Sequence, residues 1–532
     1  MRIENEKILL ISIDNPSAKV DIFIGFRKII VTFSVILRIY NYQFSIHPLE
    51  VQDLLKQYAA HPQVAALNTL LKNKTSRNIF LKGLNGSGAA MTIASLFSKR
   101  RGSYVCVLND LEDAGYFYHD LVQLTGGDGI YFFPSAYRRA IKYGHVDPAN
   151  EILRTEVLST LQDPTAPFII VTYPEALAEK VISREVLKEN TLKISVGERL
   201  DNMFVSDVLD EYGFEQVDYV YEPGQYAMRG SILDVFSFSY EFPYRIDFFG
   251  NEVETIRSFD VETQLSKEKL DSIYIVPEMT KGNRTNSSLL DSLPSETLLA
   301  SKDMAWVKER IGSIWNEEPI IGDEESFANI EQLRAKLITG EDFLHAALGF
   351  CRLHFGTRPM EVADATLTFS MEAQPIYHKN FDLVSESFHK YLEDGYTLYI
   401  LSDVEKQATR IRAIFEDRGD DIPFTSVNKT IHEGFADETL RVCLFTDHQL
   451  FDRFHKFNLK SDKARSGKLS LSLKELNQFT TGDYIVHIDH GVGQFGGLVR
   501  TEVNGKMQEA IRLIYQNNDI IFVSIHSLHK LS

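Results

Sequence analysis

A glycine-rich loop constrains the fold of this chain more than any other short segment. Residues 83–90, with the sequence GLNGSGAA, have the glycine spacing of a phosphate-binding loop. In an active loop a lysine neutralises phosphate charge and a Ser or Thr hydroxyl binds Mg²⁺. Alanines occupy both of those positions here. The predicted inactive nucleotide loop is marked by Gly83, Gly88, Ala89 and Ala90.

The residues around this loop alternate between strand and helix patterns. Residues 78–81 have a strand pattern, and residues 89–99 have the pattern of a helix with an apolar face. Further strands are predicted at residues 104–108, 130–133 and 168–172, with helices between them. This order predicts a parallel α/β sheet. An ordinary glycine-rich turn, unrelated to nucleotide binding, remains the alternative for the loop.

Composition limits the class of protein and its partners. The 532 residues are 44% hydrophobic, which is enough for several domains with real cores. The net charge of −18 disfavours a surface that holds DNA by general phosphate neutralisation, so we expect only weak DNA binding and favour protein partners.

The cysteines and the apolar runs indicate the compartment. Cys106, Cys351 and Cys443 are widely separated and have neither the pairing of a disulfide framework nor the CxxC spacing of a zinc site. The longest apolar run, residues 29–37, is too short to span a membrane. We expect a cytoplasmic protein with no membrane contact.

Changes in pattern predict an α/β and β multidomain chain. A second small α/β unit begins near Tyr396, and the glycine-rich C-terminus has the pattern of a small β-barrel. The leader is either an accessory strand pair or the product of a misplaced start codon. The predicted segments are a leader at 1–44, an α/β domain at 45–191 and 278–375, a β-rich module at 192–277, a small α/β domain at 376–470 and a barrel at 476–532.

One strand of the β-rich module has an unusual outer face. In residues 244–249, period two places Tyr244, Ile246 and Phe248 on one face and the alternate residues on the other. If the first face packs on a core, Phe249 is exposed beside Arg245, which is the composition of an interaction hot spot. The alternatives are that both faces are covered, or that Arg245 pairs with Asp247 or Asp234 and Phe249 packs into the turn.

Residues 222–260 carry a resemblance to a known module. The sequences GQYAMRG (224–230), LDVF (233–236) and PYRIDFF (243–249) strongly resemble the UvrA-binding module shared by UvrB and the transcription-repair coupling factors (Mfd). The resemblance implies a degenerate UvrB-like α/β domain with this module inserted. It also implies that Arg229, Arg245 and Phe249 bind UvrA, and arginine suits an interface because its planar fork can hold a carboxylate.

Two departures distinguish the two families. UvrB keeps the lysine of its nucleotide loop and has a long aromatic hairpin that inserts into DNA. Here Ala89 replaces the lysine, and residues 137–143 run directly into a helix, which leaves no room for such a hairpin. Both departures favour the transcription-repair coupling factors.

The C-terminal residues carry a second, independent resemblance. Residues 482–495 and 526–529 are similar to the RNA-polymerase-interaction domain of the coupling factors, which is related to CarD-type regulators. The resemblance implies that an edge strand at residues 484–488 lies against the β subunit of RNA polymerase, with Ile488 as the contact residue. His487, Asp489 and His490 lack further ligands, so we expect no metal site.

The combined resemblance implies a non-catalytic adaptor that binds UvrA and RNA polymerase in nucleotide excision repair. It covers residues 46–532 and corresponds to the N-terminal portion of the family. The family's ATP-dependent DNA translocase, with its ATP and magnesium, is not in this sequence, so we expect either a piece of a longer protein or one that has lost its motor. We expect no cofactor in this chain. Two alternatives stay open, a UvrB-like DNA repair ATPase and a CarD-like polymerase-binding regulator.

Overall fold

The computed structural model describes most of the chain. The described residues are 9–15, 18–24, 49–136, 148–162, 165–238, 240–261, 263–277, 285–316, 334–455, 457, 459, 480–487, 490–503, 506–516 and 519–524. Internal contacts divide the chain into two units. The first unit holds residues 1–61, 85–88 and 370–455, and the second holds residues 62–84, 89–369 and 456–532.

Strands form seven sheets among the described residues. In chain order they are β1 Leu9–Asn15, β2 Ala18–Ile24, β3 Asn78–Lys82, β4 Ser103–Val107, β5 Ile130–Phe132, β6 Phe168–Thr172, β7 Val181–Ile182, β8 Leu192–Ser195, β9 Glu215–Gln216, β10 Gln225–Arg229, β11 Ile232–Val235, β12 Tyr244–Phe249, β13 Glu252–Phe259, β14 Ser266–Leu270, β15 Ser272–Ile275, β16 Thr285–Ser287, β17 Leu298–Ser301, β18 Cys351–His354, β19 Ala365–Thr368, β20 Met371–Ala373, β21 Thr397–Leu401, β22 Thr425–Val427, β23 Phe435–Asp437, β24 Val442–Thr446, β25 Tyr484–His487, β26 Gly491–Val503, β27 Lys506–Ile514 and β28 Ile520–Ser524.

Helices lie between and beside these strands. In chain order they are α1 Val51–Tyr58, α2 Pro62–Asn73, α3 Gly88–Lys99, α4 Leu111–Thr125, α5 Pro148–Thr160, α6 Pro174–Ala178, α7 Arg184–Glu189, α8 Asn202–Glu211, α9 Met304–Asn316, α10 Gly340–Ala347, α11 Phe381–Glu393, α12 Glu405–Arg418 and α13 Asp447–Leu450, with a 3-10 helix at Leu289–Ser292. No helix in the described part of the chain is both long and apolar enough to cross a bilayer.

A seven-stranded parallel sheet dominates the second unit. Its strand order is β19-β3-β18-β17-β4-β6-β5, and every neighbouring pair is parallel. Strand β6 is buried along its whole length, as expected for a continuous apolar run in a parallel sheet covered on both faces. Because its strands come from both sides of residues 192–277, the β-rich module is inserted into this domain.

Two short antiparallel ladders join the ends of the inserted module. Strand β8 pairs with β15 over four residues, from Leu192 opposite Ile275 to Ser195 opposite Ser272. Strand β7 pairs with β16, which brings Ile182 opposite Thr285. The two ends of the module therefore lie side by side.

The inserted module is a six-stranded sheet of order β14-β13-β12-β11-β10-β9. All neighbouring pairs are antiparallel except β9 with β10. One face packs on a core that includes Tyr226, Leu233 and Ile246, and helix α8 covers that face with Val205 and Leu209. The module therefore has a core of its own and a second face for other contacts.

The first unit contains a mixed five-stranded sheet of order β20-β23-β24-β21-β22. Helices α11 and α12 supply much of its core, including Phe388, Ile411 and Phe415. The rings of Phe388 and Phe445 are 4.6 Å apart between centroids. Strands β1 and β2 form an antiparallel pair in the leader, as one of the two interpretations of that segment expected.

The C-terminal strands form a four-stranded antiparallel sheet, β25-β26-β27-β28. Its small core contains Ile485, Phe495 and Leu513. Strand β25 is at one edge and β28 at the other, so closure into a barrel is not seen among the described residues.

The predicted fold class is confirmed, with two differences in the helices. The sequence of residues 49–71 favours a helical stretch, but the chain forms two helices here, because Pro62 has no N–H and fits the first position of α2 rather than a helix interior. Helix α8 lies in a region predicted to be strands alone. Its period was hidden because Met203 and Phe204 are exposed while only Val205 and Leu209 face the core. The segment boundaries remain a prediction.

The two faces of β12 predict effects of very different size on stability. Ile246→Ala removes a fully buried side chain and should lower the free energy of unfolding by about 2–5 kcal/mol. Phe249→Ala on the same strand removes an exposed ring and should change it by less than about 0.5 kcal/mol. Urea unfolding followed by circular dichroism measures both. Equal losses from the two variants would contradict the assignment of faces.

Candidate interaction surface

Strand β12 has the two faces that period two predicts. Tyr244, Ile246 and Phe248 are buried, whereas Arg245 and Asp247 are half-buried. Phe249 is 80% exposed at the end of the strand. The alternative in which Arg245 pairs with an aspartate and Phe249 packs into the turn is therefore wrong for Phe249.

The exposed ring lies at the tip of the β12–β13 hairpin. Phe249 pairs with Glu252 across a two-residue turn, and Gly250 begins this turn at φ +62°. A glycine at the first turn position is typical of the tight hairpin turns that match strand twist. The neighbouring segment is fixed to the tip, because Leu200 N–H donates to Asn251 O at 2.8 Å. The tip therefore presents Phe249 on a fixed backbone.

Asp234 connects the two predicted arginines. It lies on β11 directly opposite Arg245 on β12 and is 1% exposed. Arg245 donates from Nε to Oδ1 at 2.6 Å and from Nη2 to Oδ2 at 2.8 Å. Arg229 on β10 donates from Nη2 to the same Oδ2. One buried carboxylate thus holds both guanidinium groups.

An aromatic ring supports each guanidinium group. Arg245 lies 4.2 Å from the ring centroid of Phe259, and Arg229 lies 5.0 Å from that of Tyr219. Cation–π contacts of this kind favour a fixed orientation of the guanidinium. Arg229 also donates from Nη1 to Asp218 O at 3.1 Å. Tyr219 was missed by the sequence analysis, since no spacing rule connects it to Arg229.

A second ion pair continues the row of charges toward the edge of the sheet. Asp247 accepts from Arg257 Nη2 at 2.9 Å and from the Thr255 hydroxyl at 2.7 Å. Arg257 and Arg245 lie opposite each other across β12 and β13. The Asp247 carboxylate offsets the repulsion between these two like charges. We call these five connected residues, Arg229, Asp234, Arg245, Asp247 and Arg257, the Asp234 cluster. Its three arginines and two aspartates leave one positive charge in excess.

Burial decides how this cluster behaves electrostatically. A carboxylate as buried as Asp234 needs cationic partners, and removing one partner of a buried ion pair typically costs about 3–5 kcal/mol. Hydrogen bonding to Asp234 raises the pKa of Arg245 above its already high ordinary value, so this group stays charged at any ordinary pH. The edge of Arg245 formed by Nε and Nη2 is engaged within the chain. It is therefore not the edge that would hold a partner's carboxylate, which refines the sequence-based interpretation.

The glycine-rich loop of residues 83–90 joins β3 to α3, and residues 85–88 at its tip belong to the first unit. Ser87 N–H donates to Glu433 O, and Glu433 N–H donates to Ser87 Oγ, both at 3.0 Å. A Cβ on Gly86, at φ +52°, would lie 2.6 Å from the Gly434 carbonyl oxygen. The N–H and the hydroxyl of Ser87, which a phosphate would need as partners, thus make hydrogen bonds within the chain.

The four residues that mark this loop occupy ordinary structural positions. Gly83 has φ +84°, which favours glycine, and Gly88 begins α3. Ala89 is half-buried and Ala90 is buried in the first turn of that helix.

The C-terminal edge strand lies only partly within the described residues. Tyr484 and Val486 on β25 are exposed, whereas Ile485 and His487 are buried. Ile488 and Asp489 lie outside the described residues, as do residues 137–143 and 526–529. Within the described ranges, no group of three or more His, Cys, Asp or Glu side chains is placed to hold a metal ion. The three cysteines are free thiols.

Two family models match this chain. The UvrB interaction domain matches residues 192–280, which contain the Asp234 cluster and Phe249. The CarD-like/TRCF RID domain matches residues 479–532.

Curated relatives agree with these matches. The transcription-repair-coupling factor of Staphylococcus aureus (strain bovine RF122 / ET3-1) is 22% identical over 85% of this chain and 45% of its own length. The factor of Bacillus subtilis (strain 168) is 21% identical over 85% of this chain and 44% of its own length. The chain thus spans less than half the length of these relatives. The resemblance to transcription-repair coupling factors is confirmed.

The contacts of the glycine-rich loop predict that adding the lysine and serine of an active loop will not create nucleotide binding. The variant Ala89→Lys with Ala90→Ser should neither bind nor hydrolyse ATP, because Ser87 and Gly86 remain against Glu433 and Gly434. Titration with a fluorescent ATP analogue and a steady-state phosphate-release assay measure this, with the wild-type chain as control. Saturable micromolar binding by the variant, or hydrolysis by either protein that depends on residues 83–90, would contradict the account.

Proposed function

We propose that this relative of the transcription-repair coupling factors is an adaptor that binds UvrA through residues 192–277 and RNA polymerase through its C-terminal module. The observation that carries the proposal is Phe249, an 80% exposed ring at a fixed hairpin tip beside the Asp234 cluster. This surface lies within the residues that match the UvrB interaction domain.

The composition of the surface fits a protein partner. An exposed Phe gains about 1.5–3 kcal/mol when a partner buries it fully. Aromatic and arginine anchors surrounded by weaker contacts are typical of interface hot spots. The chain's net charge of −18 disfavours DNA as the main ligand, and we propose that DNA binds this portion only weakly.

The polymerase contact is proposed at the other end of the chain. Strand β25 is the edge of its sheet, so its outer backbone groups can extend a partner's sheet by strand addition. Exposed Tyr484 and Val486 would flank that contact. Ile488, which follows β25, is the proposed contact residue on the β subunit.

Binding two partners at once is the proposed contribution to repair. A chain held on stalled polymerase raises the effective concentration of UvrA near the lesion, without any chemical step of its own. We propose that the chain itself holds neither ATP nor magnesium. In the full-length family those cofactors serve the translocase.

The UvrA contact is tested by removing the exposed ring. Phe249→Ala should weaken UvrA binding at least about tenfold, or 1.4 kcal/mol, because the variant loses an anchor without losing a core residue. The combined Arg229→Ala and Arg245→Ala variant should weaken binding as well. Isothermal titration calorimetry with purified UvrA measures both.

The matched control is Val362→Ala, which trims another highly exposed apolar side chain of the second unit. It should bind UvrA like the wild type. Undiminished binding by both surface variants would refute the site. Polymerase binding with no UvrA binding by the wild type would instead support a CarD-like regulator, and nucleotide-dependent DNA binding would support a UvrB-like ATPase.

The polymerase contact is tested by placing a charge on the proposed edge. Ile488→Asp should abolish or strongly weaken binding to RNA polymerase, since an unpaired carboxylate would be buried in the contact. UvrA binding should stay unchanged. Surface plasmon resonance with immobilised polymerase measures this, with Val362→Asp as the control. Wild-type polymerase affinity in Ile488→Asp would exclude this residue from the contact.

A further inference from the structure

Asp234 is buried beneath the proposed docking surface and cannot itself reach a partner. It is 1% exposed, whereas the side chains of Arg229 and Arg245 are 35% and 15% exposed. Its two oxygens accept three hydrogen bonds, two from Arg245 and one from Arg229. The carboxylate is thus placed to orient the arginines rather than to bind UvrA.

The hydrogen bonds within the chain leave a defined set of arginine donors unused. Arg245 uses Nε and Nη2 on Asp234, and Nη2 also donates to Gln264 Oε1 at 3.1 Å. Arg229 uses Nη1 and Nη2 on Asp218 O and Asp234. Among the described residues, Arg245 Nη1 and Arg229 Nε donate no hydrogen bond. Both are available to a partner, and Nη1 and Nη2 of Arg229 each keep a second N–H as well.

Both arginines are also held from a second direction. Phe259, under Arg245, is buried, and Tyr219, beside Arg229, is partly exposed. A guanidinium restrained by a carboxylate and a ring loses little further freedom when it binds. Two such groups, on the two strands that flank β11, are therefore held in place for an anion.

We propose that Asp234 is a positioning residue for UvrA binding, and that the two arginines it orders take a carboxylate of the partner beside the pocket that receives Phe249. This inference rests on the proposed function of the module. Planar guanidinium groups recognise carboxylates with specific geometry, and the cluster has one positive charge in excess. An acidic side chain flanked by apolar ones is the chemistry that matches.

Asp234 can affect UvrA binding in two ways, by positioning the two arginines or through its own negative charge. Asp234→Asn removes a negative charge and so leaves the surface more positive. If the charge of the surface alone governed binding, association with an acidic partner site would be at least as fast. If position governs binding, the released arginines bind less well and the complex dissociates faster.

The experiment measures association and dissociation rates for purified UvrA by surface plasmon resonance. Asp234→Asn should raise the dissociation rate at least about tenfold, with no fall in the association rate. The matched control is Asp210→Asn, which removes the same charge from helix α8 on the core side of the module, where Asp210 accepts from the Tyr226 hydroxyl at 2.8 Å. Its dissociation rate should stay near that of the wild type. Equal dissociation rates for the two variants would overturn the proposal.

A readout without UvrA distinguishes failure of this inference from failure of the proposed function. Phenylglyoxal modifies accessible arginines, and mass spectrometry reports the rate at each site. Arg245 should react slowly in the wild type and in Phe249→Ala, and faster in Asp234→Asn. Arg154, which is buried against Glu179 at 3.0 Å, is the internal reference for intact folding. Unchanged Arg245 reactivity in Asp234→Asn would refute the positioning role even if the wild type binds no UvrA.

A second variant covers the case in which Asp234→Asn does not fold. Arg245→Lys keeps the charge and one bond to Asp234 but has no Nη1 donor. It should dissociate from UvrA as fast as Arg245→Ala. Wild-type kinetics in Arg245→Lys would show that a point charge suffices and would overturn the proposal.

Discussion

The position of β17 in the parallel sheet is the constraint on which the second unit depends. This strand pairs with β4 on one side and β18 on the other, although the whole β-rich module lies between β4 and β17 in sequence. The sheet therefore forms only if the module's two ends come together. The ladders of β7 with β16 and β8 with β15 provide that closure. A module closed at its stem can project its hairpin tip without disturbing the sheet.

The arrangement of charged side chains on the outer face of the module is explained by the free-energy cost of burying a charge. An aspartate as deep as Asp234 is stable only with cationic partners, and two arginines on the strands that flank β11 supply them. The same contacts fix the arginines against Tyr219 and Phe259. Phe249 then adds an apolar anchor at the tip. Arg229 and Arg245 thus stabilise the buried Asp234 and are also the side chains proposed to contact UvrA.

Several features of the fold could be predicted from the sequence because local residue patterns determine them. The faces of β12 follow from period two, and the strand–loop–helix at residues 78–99 follows from the glycine spacing and the apolar period. The sharing of Asp234 by two arginines could not be read in the same way. It depends on the register of three strands, and sequence alone left Asp234 and Asp247 as equal partners for Arg245. The contacts of Ser87 with Glu433 join residues far apart in sequence, so no local rule reveals them.

The proposed adaptor function requires one chain to bind UvrA and RNA polymerase at the same time. Mass photometry of the chain mixed with UvrA and RNA polymerase tests this directly. The account predicts a particle whose mass equals the sum of all three components, which disappears when Phe249→Ala and Ile488→Asp are combined. Separate binary complexes that exclude each other, or no complex with UvrA, would contradict the adaptor function.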